Sequence, residues 1–174
     1  MRFGTLALFG LTAFTSAASI IKRDAATIIA DLGTIDKNID TCNTKIAAFN
    51  GGVLEALAVA QAADTIIAST NKATDDTNAS AALNDNDSVS VVFTLSALNP
   101  KIKSNLDATV AKKTQFKNGG FGSLVLQQLN SLKTASGNLA TALGNKVTAG
   151  NKQTVANLAA ETAANFDKAI AEFS

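Results

Sequence analysis

Downstream of Lys22-Arg23 this 174-residue chain has no His, no Arg, no Tyr, no Trp and no further Met. Imidazole is the usual general base near neutral pH, and guanidinium is the usual fork for carboxylate or phosphate. Their joint absence argues against the common hydrolase, kinase and nucleic-acid-binding chemistries. The lone cysteine, Cys42, cannot form an internal disulfide, and without His it cannot build a zinc site. The missing Tyr and Trp also remove the aromatic side chains best suited to anchoring at an apolar interface. What is left is apolar surface and hydroxyl groups: 47% of residues are hydrophobic and 33 are alanine. Binding, not catalysis, is the expectation.

The N-terminus, MRFGTLALFGLTAFTSAAS, has one basic residue, an uncharged apolar stretch from Phe3 to Phe14 and then small residues. That is the pattern of a secretory signal peptide over residues 1–18, too short for a spanning helix of roughly 20 apolar residues. Lys22-Arg23 before Asp24 reads as a dibasic processing site that ends a short propeptide over 19–23, the alternative being two ordinary basic residues. The remaining domain, 24–174, loses Arg2, Lys22 and Arg23 and no acid, so its charge goes from 15 − 14 = +1 to 12 − 14 = −2. Its lysines are scattered, which gives no footprint for nucleic acid or for an anionic membrane. NFDKAIAEFS at the C-terminus does not encode a GPI signal. A secreted, extracellular protein without a membrane span is expected.

Periodicity predicts an all-α fold. Ile28, Leu32, Ile35, Ile39, Cys42, Ile46 and Phe49 alternate spacings of four and three, one helical seam that ends at Gly51-Gly52. Asp31, Asp36 and Asp40 avoid the seam and read as a solvated face. A second, Ala-rich helix is predicted over 53–71 with Val53, Leu57, Ala60 and Ile67 buried. Residues 72–87 read as a polar surface loop carrying two N-glycosylation candidates, Asn78 and Asn86. VSVVFTLSAL, 89–98, suits strand or helix, and helix is favoured because nothing else offers a strand to pair with. Asn99-Pro100 is read as a break, with a helix restarting at Pro100 and facing inward through Ile102, Leu106, Val110 and Phe116. Val125, Leu129, Leu132, Ser136, Leu139 and Leu143 form a second clean seam, and residues 155–173 a last helix. About five amphipathic helices in an antiparallel bundle follow.

Candidate chemistry is sparse. Asp36 with Asp40, and Asp75 with Asp76, are paired carboxylates, but glycoside hydrolysis needs two acids facing each other across a cleft, and these lie on a helix face and in the polar segment. Cys42 lacks an imidazole partner and reads as a small buried hydrophobe. The acids Asp75, Asp76, Asp85 and Asp87 do not match the ligand spacing of an EF-hand. No catalytic residue, metal or cofactor is expected.

The hydroxyls inside apolar stripes stand out: Ser136, Thr162 and Thr109. Each either bonds the carbonyl one turn back or offers a polar contact to the head of an apolar ligand held between helices. In the second reading the ligand meets Ile35, Ile39, Leu57, Leu106, Leu132, Ser136, Leu139, Thr162 and Phe166. Burial of about 0.8 kcal/mol per methylene would let an acyl chain bind with few polar contacts. The same amphipathic helices could instead open and lay their apolar faces on a hydrophobic surface.

The KRDAATII start at Lys22 to Ile29, the IDKNIDTCNTKIAAFNGG segment from Ile35 to Gly52 and the helical remainder resemble the fungal hydrophobic surface binding protein A family, which includes the repeated domains of cell-wall galactomannoproteins. The resemblance implies a secreted, non-enzymatic helical domain that adsorbs to hydrophobic surfaces or holds fatty-acid-like ligands. It also implies a secreted lipolytic enzyme as a partner; wall-attached relatives carry Ser/Thr-rich tails and anchor signals that are missing after Ser174, so any cell-wall association is expected to be without a GPI anchor and not firm. The alternative is a structural mannoprotein of the wall or extracellular matrix with no lipid ligand.

Overall fold

The computed structural model describes residues 16–174, with side chains from residue 24 onward. The expected signal peptide and propeptide, 1–18 and 19–23, fall outside the residues whose side chains are described. Six helices and no strand make up the described chain: α1 Ser16–Ala48, α2 Val53–Ala79, α3 Asp85–Ala111, α4 Lys113–Asn118, α5 Gly122–Lys146 and α6 Ala149–Phe173. Five are long; the sixth, α4, is a six-residue turn that carries buried Phe116.

The α1 seam is buried along its whole length from Ile28 to Phe49, as the four-three spacing predicts. Gly51 takes a φ of 106° in the turn that follows, a left-handed conformation that favours glycine. The α2 stripe differs from expectation. Val53 is 72% exposed and Leu57 53%, while Ala56, Val59, Ala62, Ala63, Ile66, Thr70, Ala73 and Thr77 are buried. Small residues let α2 lie close to its neighbours, so the packed face is the alanine face and not the bulky one. By length and composition α2 is apolar enough to span a membrane, and 33% of that apolar window is buried in the bundle.

The predicted loop over 72–87 is mostly helix. The Thr70, Ala73, Thr77 spacing prolongs the buried stripe of α2, and the Thr70, Thr74 and Thr77 hydroxyls donate one turn back to Ile66, Thr70 and Ala73 carbonyls at 2.8, 2.9 and 2.6 Å. Asn84 caps α3 by accepting from the Asp87 amide at 2.9 Å, and Asp85 and Asp87 lie in its first turn, where carboxylates complement the helix dipole. Asn78 thus sits in the last turn of α2 and Asn86 in the first turn of α3, both exposed.

Nor does Asn99-Pro100 break the chain. α3 runs through it, with Pro100 exposed and Leu98, Asn99, Asn105 and Leu106 buried on the inner side. Packing on both sides of the proline outweighs one lost ladder bond. Asp31 also departs from its expected solvated place: it is 8% exposed, with Oδ1 2.9 Å from Lys72 Nζ and Oδ2 unpartnered among the described residues.

The five long helices alternate in direction along the chain, but their lateral order is α1, α2, α5, α6, α3 and back to α1. Cross-helix contacts give the sense of each seam. Asp36 meets Lys101 and Phe49 meets Lys112; Asp64 meets Gln128 and Asn78 meets Lys146; Asn99 meets Thr162 and Lys113 meets Glu172. The α1/α3, α2/α5 and α3/α6 seams are therefore parallel, a correction to the simple antiparallel bundle. Only α1/α2 and α5/α6 are antiparallel, as the contacts Asp31 to Lys72 and Lys133 to Asp167 show.

A closed ring of five has a geometric consequence. Helices about 10 Å apart in a pentagon have axes about 8.5 Å from the centre, leaving a core about 3.5 Å in radius beyond helices about 5 Å in radius. The helix radius already includes ordinary side chains, so only large inward ones fill that centre; small ones leave it hollow.

Candidate ligand-binding cavity

At mid-height the core is hollow. A cavity of about 170 Å³ is lined by all five long helices. Ile35 and Ile39 come from α1, and Ile66 and Thr70 from α2. α3 supplies Leu95, Leu98, Asn99, Ile102, Asn105 and Leu106. α5 supplies Leu132, Lys133, Ser136, Gly137, Leu139 and Ala140, and α6 supplies Leu158, Ala159, Thr162, Ala163 and Phe166. The void arises where α5 and α6 line it with Ser136, Gly137, Ala140, Ala159, Thr162 and Ala163, side chains too small to reach across the core.

Eight of the nine residues proposed from the sequence line this one cavity: Ile35, Ile39, Leu106, Leu132, Ser136, Leu139, Thr162 and Phe166. The ninth, Leu57, came from the misassigned α2 stripe and is exposed. Sequence reasoning missed Thr70, Asn99 and Asn105, polar residues buried in the wall. Asn99 was findable: it precedes Ile102 and Leu106 at spacings of three and four, in register with the inward face of α3.

The three singled-out hydroxyls behave differently. Thr109 Oγ1 donates to the Asn105 carbonyl at 2.9 Å, the local bond one turn back. Thr162 Oγ1 instead donates across the α3/α6 seam to Asn99 Oδ1 at 2.6 Å. Ser136 has no hydrogen-bond partner among the described residues. The cavity wall therefore carries one free hydroxyl near an interhelical amide–hydroxyl pair.

No carboxylate lines the cavity. Its one charged residue, Lys133, sits half-exposed at the rim and pairs with Asp167. A wall of this kind repels nothing apolar and offers a carboxylate or hydroxyl head both neutral donors and one ammonium.

The paired acids do not form a catalytic cleft. Asp36 and Asp40 both hold Lys101, at 2.8 and 3.0 Å, and Asp76 holds Lys72. Asp75 and Asp85 are exposed, and Asp87 accepts from Asn84 Nδ2 at 2.8 Å. Cys42 is buried, and burial pushes its thiol above the ordinary value of 9.0 despite a hydrogen bond with Asn105.

Comparison with known proteins places this architecture. The structure superposes on AfMp4p in complex with palmitic acid with a TM-score of 0.85 and 41% sequence identity, covering 86% of this chain and 99% of that one. Ligand binding domain 1 of the Penicillium marneffei MP1 protein, complexed with arachidonic acids, shares the fold with a TM-score of 0.83 at 24% identity, over 87% of this chain and 99% of that chain. Cell wall mannoprotein 1 of Aspergillus flavus is 26% identical over 170 residues, and the chain spans 62% of that relative's length. A family model described as hydrophobic surface binding protein A matches residues 25–145. With more than half of its length matched, the chain belongs to the hydrophobic surface binding protein A family.

Proposed function

We propose that this protein is a secreted, non-catalytic carrier of fatty acids or similar single-chain amphiphiles, held in the cavity inside the five-helix ring. The observation that carries the reading is the apolar void itself, walled by all five long helices and interrupted by a few neutral polar groups such as Asn99, Thr162 and Ser136 and by the Lys133 ammonium. The likeness to a palmitate-bound structure at 41% identity supports it. The alkyl chain lies along Ile35, Ile39, Leu106, Leu139 and Phe166. The head group takes the free Ser136 hydroxyl, the Asn99–Thr162 pair or the Lys133 ammonium at the rim. Titrating delipidated protein with a fluorescent fatty acid, then displacing it with palmitate, tests this; saturable binding is expected, and no binding at micromolar protein would overturn it.

A second reading, adsorption to hydrophobic surfaces, is favoured by one further observation. Val53, Leu54 and Leu57 on α2, and Val89 and Phe93 on α3, are exposed large apolar residues on the outside of the closed bundle. Depletion of the protein from solution by hydrophobic beads, weakened by Phe93→Ser, is the expected result. A wall-associated location fits the mannoprotein relative. Glycans at Asn78 and Asn86 fit their exposed positions. Nothing in the cavity or its lining supports recruitment of a lipolytic enzyme.

A further inference from the structure

A second, smaller cavity of about 40 Å³ lies against the first, lined among others by Cys42, Ile46, Val59, Phe116 and Phe121. Its position is consistent on every helix that borders it. On α1 it begins one turn beyond Ile39, at Cys42; on α5 it occupies Leu124 to Leu132 where the first occupies Leu132 to Ala140. A displacement of about seven residues at about 1.5 Å each puts it roughly 10 Å further along the bundle axis. There it is bordered by Phe116, which stacks on Phe49, and by Phe121, which meets Phe49 edge-on.

Two residues line both cavities, Leu132 and Asn105. They come from helices on opposite sides of the ring, α5 and α3, and both are buried. Asn105 is held: its Nδ2 donates to Asn43 Oδ1 at 2.8 Å, and its backbone carbonyl takes the Thr109 hydroxyl. Leu132 has no such tether, and its side chain can move between staggered rotamers into space that both cavities provide.

Resting on the fatty-acid reading above, we propose that Leu132 and Asn105 are a septum that sets acyl-chain length, with Asn105 as the fixed wall and Leu132 as the movable one. A short chain ends at the septum and stays in the larger cavity. A longer chain swings Leu132 aside and threads its tail into the smaller one, beside Cys42. The larger cavity alone is close to the ~150 Å³ of voids that hold a benzene-sized guest, so the tail of a long chain needs the additional space. The far cavity suits a tail, since its Thr109 hydroxyl is already satisfied by the Asn105 carbonyl.

The test is a displacement series with saturated fatty acids from C10 to C20 on the full protein and on Leu132→Ala. In the unaltered protein affinity rises up to about fourfold per added methylene, the equivalent of about 0.8 kcal/mol, and the rise breaks where the tail meets the septum. Leu132→Ala removes the break and raises the C20-to-C12 affinity ratio at least tenfold. A ratio that stays the same, or a series without a break in either protein, overturns the septum. Should Leu132→Ala fail to fold, Cys42 decides in the unaltered protein. With ligands at concentrations giving equal Tm shifts, C20 slows alkylation of Cys42 by N-ethylmaleimide several-fold more than C12; labelling independent of chain length overturns the proposal. If no fatty acid of any length displaces the probe, the carrier reading fails as well, a result distinct from binding without length discrimination.

Discussion

The two ends of the same core are packed by different rules. Toward the C-terminal ends of α1, α3 and α6, Phe49 stacks on Phe116 with ring centroids 4.2 Å apart, and Phe121 and Phe173 meet that pair edge-on at 6.2 and 6.3 Å. At mid-height the same ring of helices presents Ser136, Gly137, Ala140, Ala159 and Ala163, and the space stays open. Large rings close the pentagon; small side chains do not. Stability is thus carried chiefly by the aromatic end and binding chiefly by the middle of one core, which is how a bundle can keep a void without losing its fold.

Substitutions can break that division. The largest effect is expected at the filled end: Phe116→Ala should destabilise by about 3 to 5 kcal/mol, read as a shift of the urea midpoint. The Leu139→Ala change beside the void should fall at or below the lower end of the usual ~2 to 5 kcal/mol range, because Leu139 already lacks neighbours on one side. Equal losses at the two positions would contradict the contrast. Next in size, Ala159→Phe should fill the cavity, leave Tm unchanged or higher and weaken fatty-acid binding by at least tenfold, about 1.4 kcal/mol, in the displacement assay.

Removing the interhelical donor with Thr162→Val should cost about 1 kcal/mol, detected as a non-additive term in a double-mutant cycle with Asn99→Leu. The smallest effect concerns pH. Lys113 holds the Glu172 carboxyl, and Lys72 the Asp76 carboxyl, below the ordinary 4.5 and 3.8. With folded values depressed, the unfolded chain binds more protons in acid, so this stability is present above those ordinary values and is lost as pH falls through the folded ones. Asp36 and Asp40 hold the Lys101 ammonium, and Asp76 and Asp31 that of Lys72, above the ordinary 10.5. That contribution is complete below the ordinary lysine value and is lost as pH rises through the raised ones. With no His in the chain, Tm should stay flat from about pH 5 to 9, and a thermal-melt series across that range checks it.

The sequence made some of this visible and hid the rest for physical reasons. The α1 and α5 seams were legible because their inward residues are large and evenly spaced, and they brought most of the cavity wall with them. α2 misled because bulk and burial part company there: Leu54 and Leu57 face solvent while Ala56 and Ala63 pack. The polar run after Asn71 looked like a loop because its threonines satisfy their own hydroxyls along the helix, a local bond that composition does not display. Pro100 looked like a break because its backbone effect is local, whereas the contacts that override it come from the distant helices α1 and α6. The lateral order of the helices, and so the hollow centre, was not legible at all, since periodicity reports which face is buried and not against which partner.

The lateral order has one more consequence. No helix occupies the middle of the ring, so each long helix is braced chiefly by two flanking ones, like a stave in a cask. Easing one stave outward admits a guest along its whole length and leaves the other four in contact. α6 is the stave best placed to move: fewer of its residues are buried than on α5. Hydrogen exchange that is fastest in α6, and slowed there more than elsewhere when ligand binds, would mark it as the point of entry.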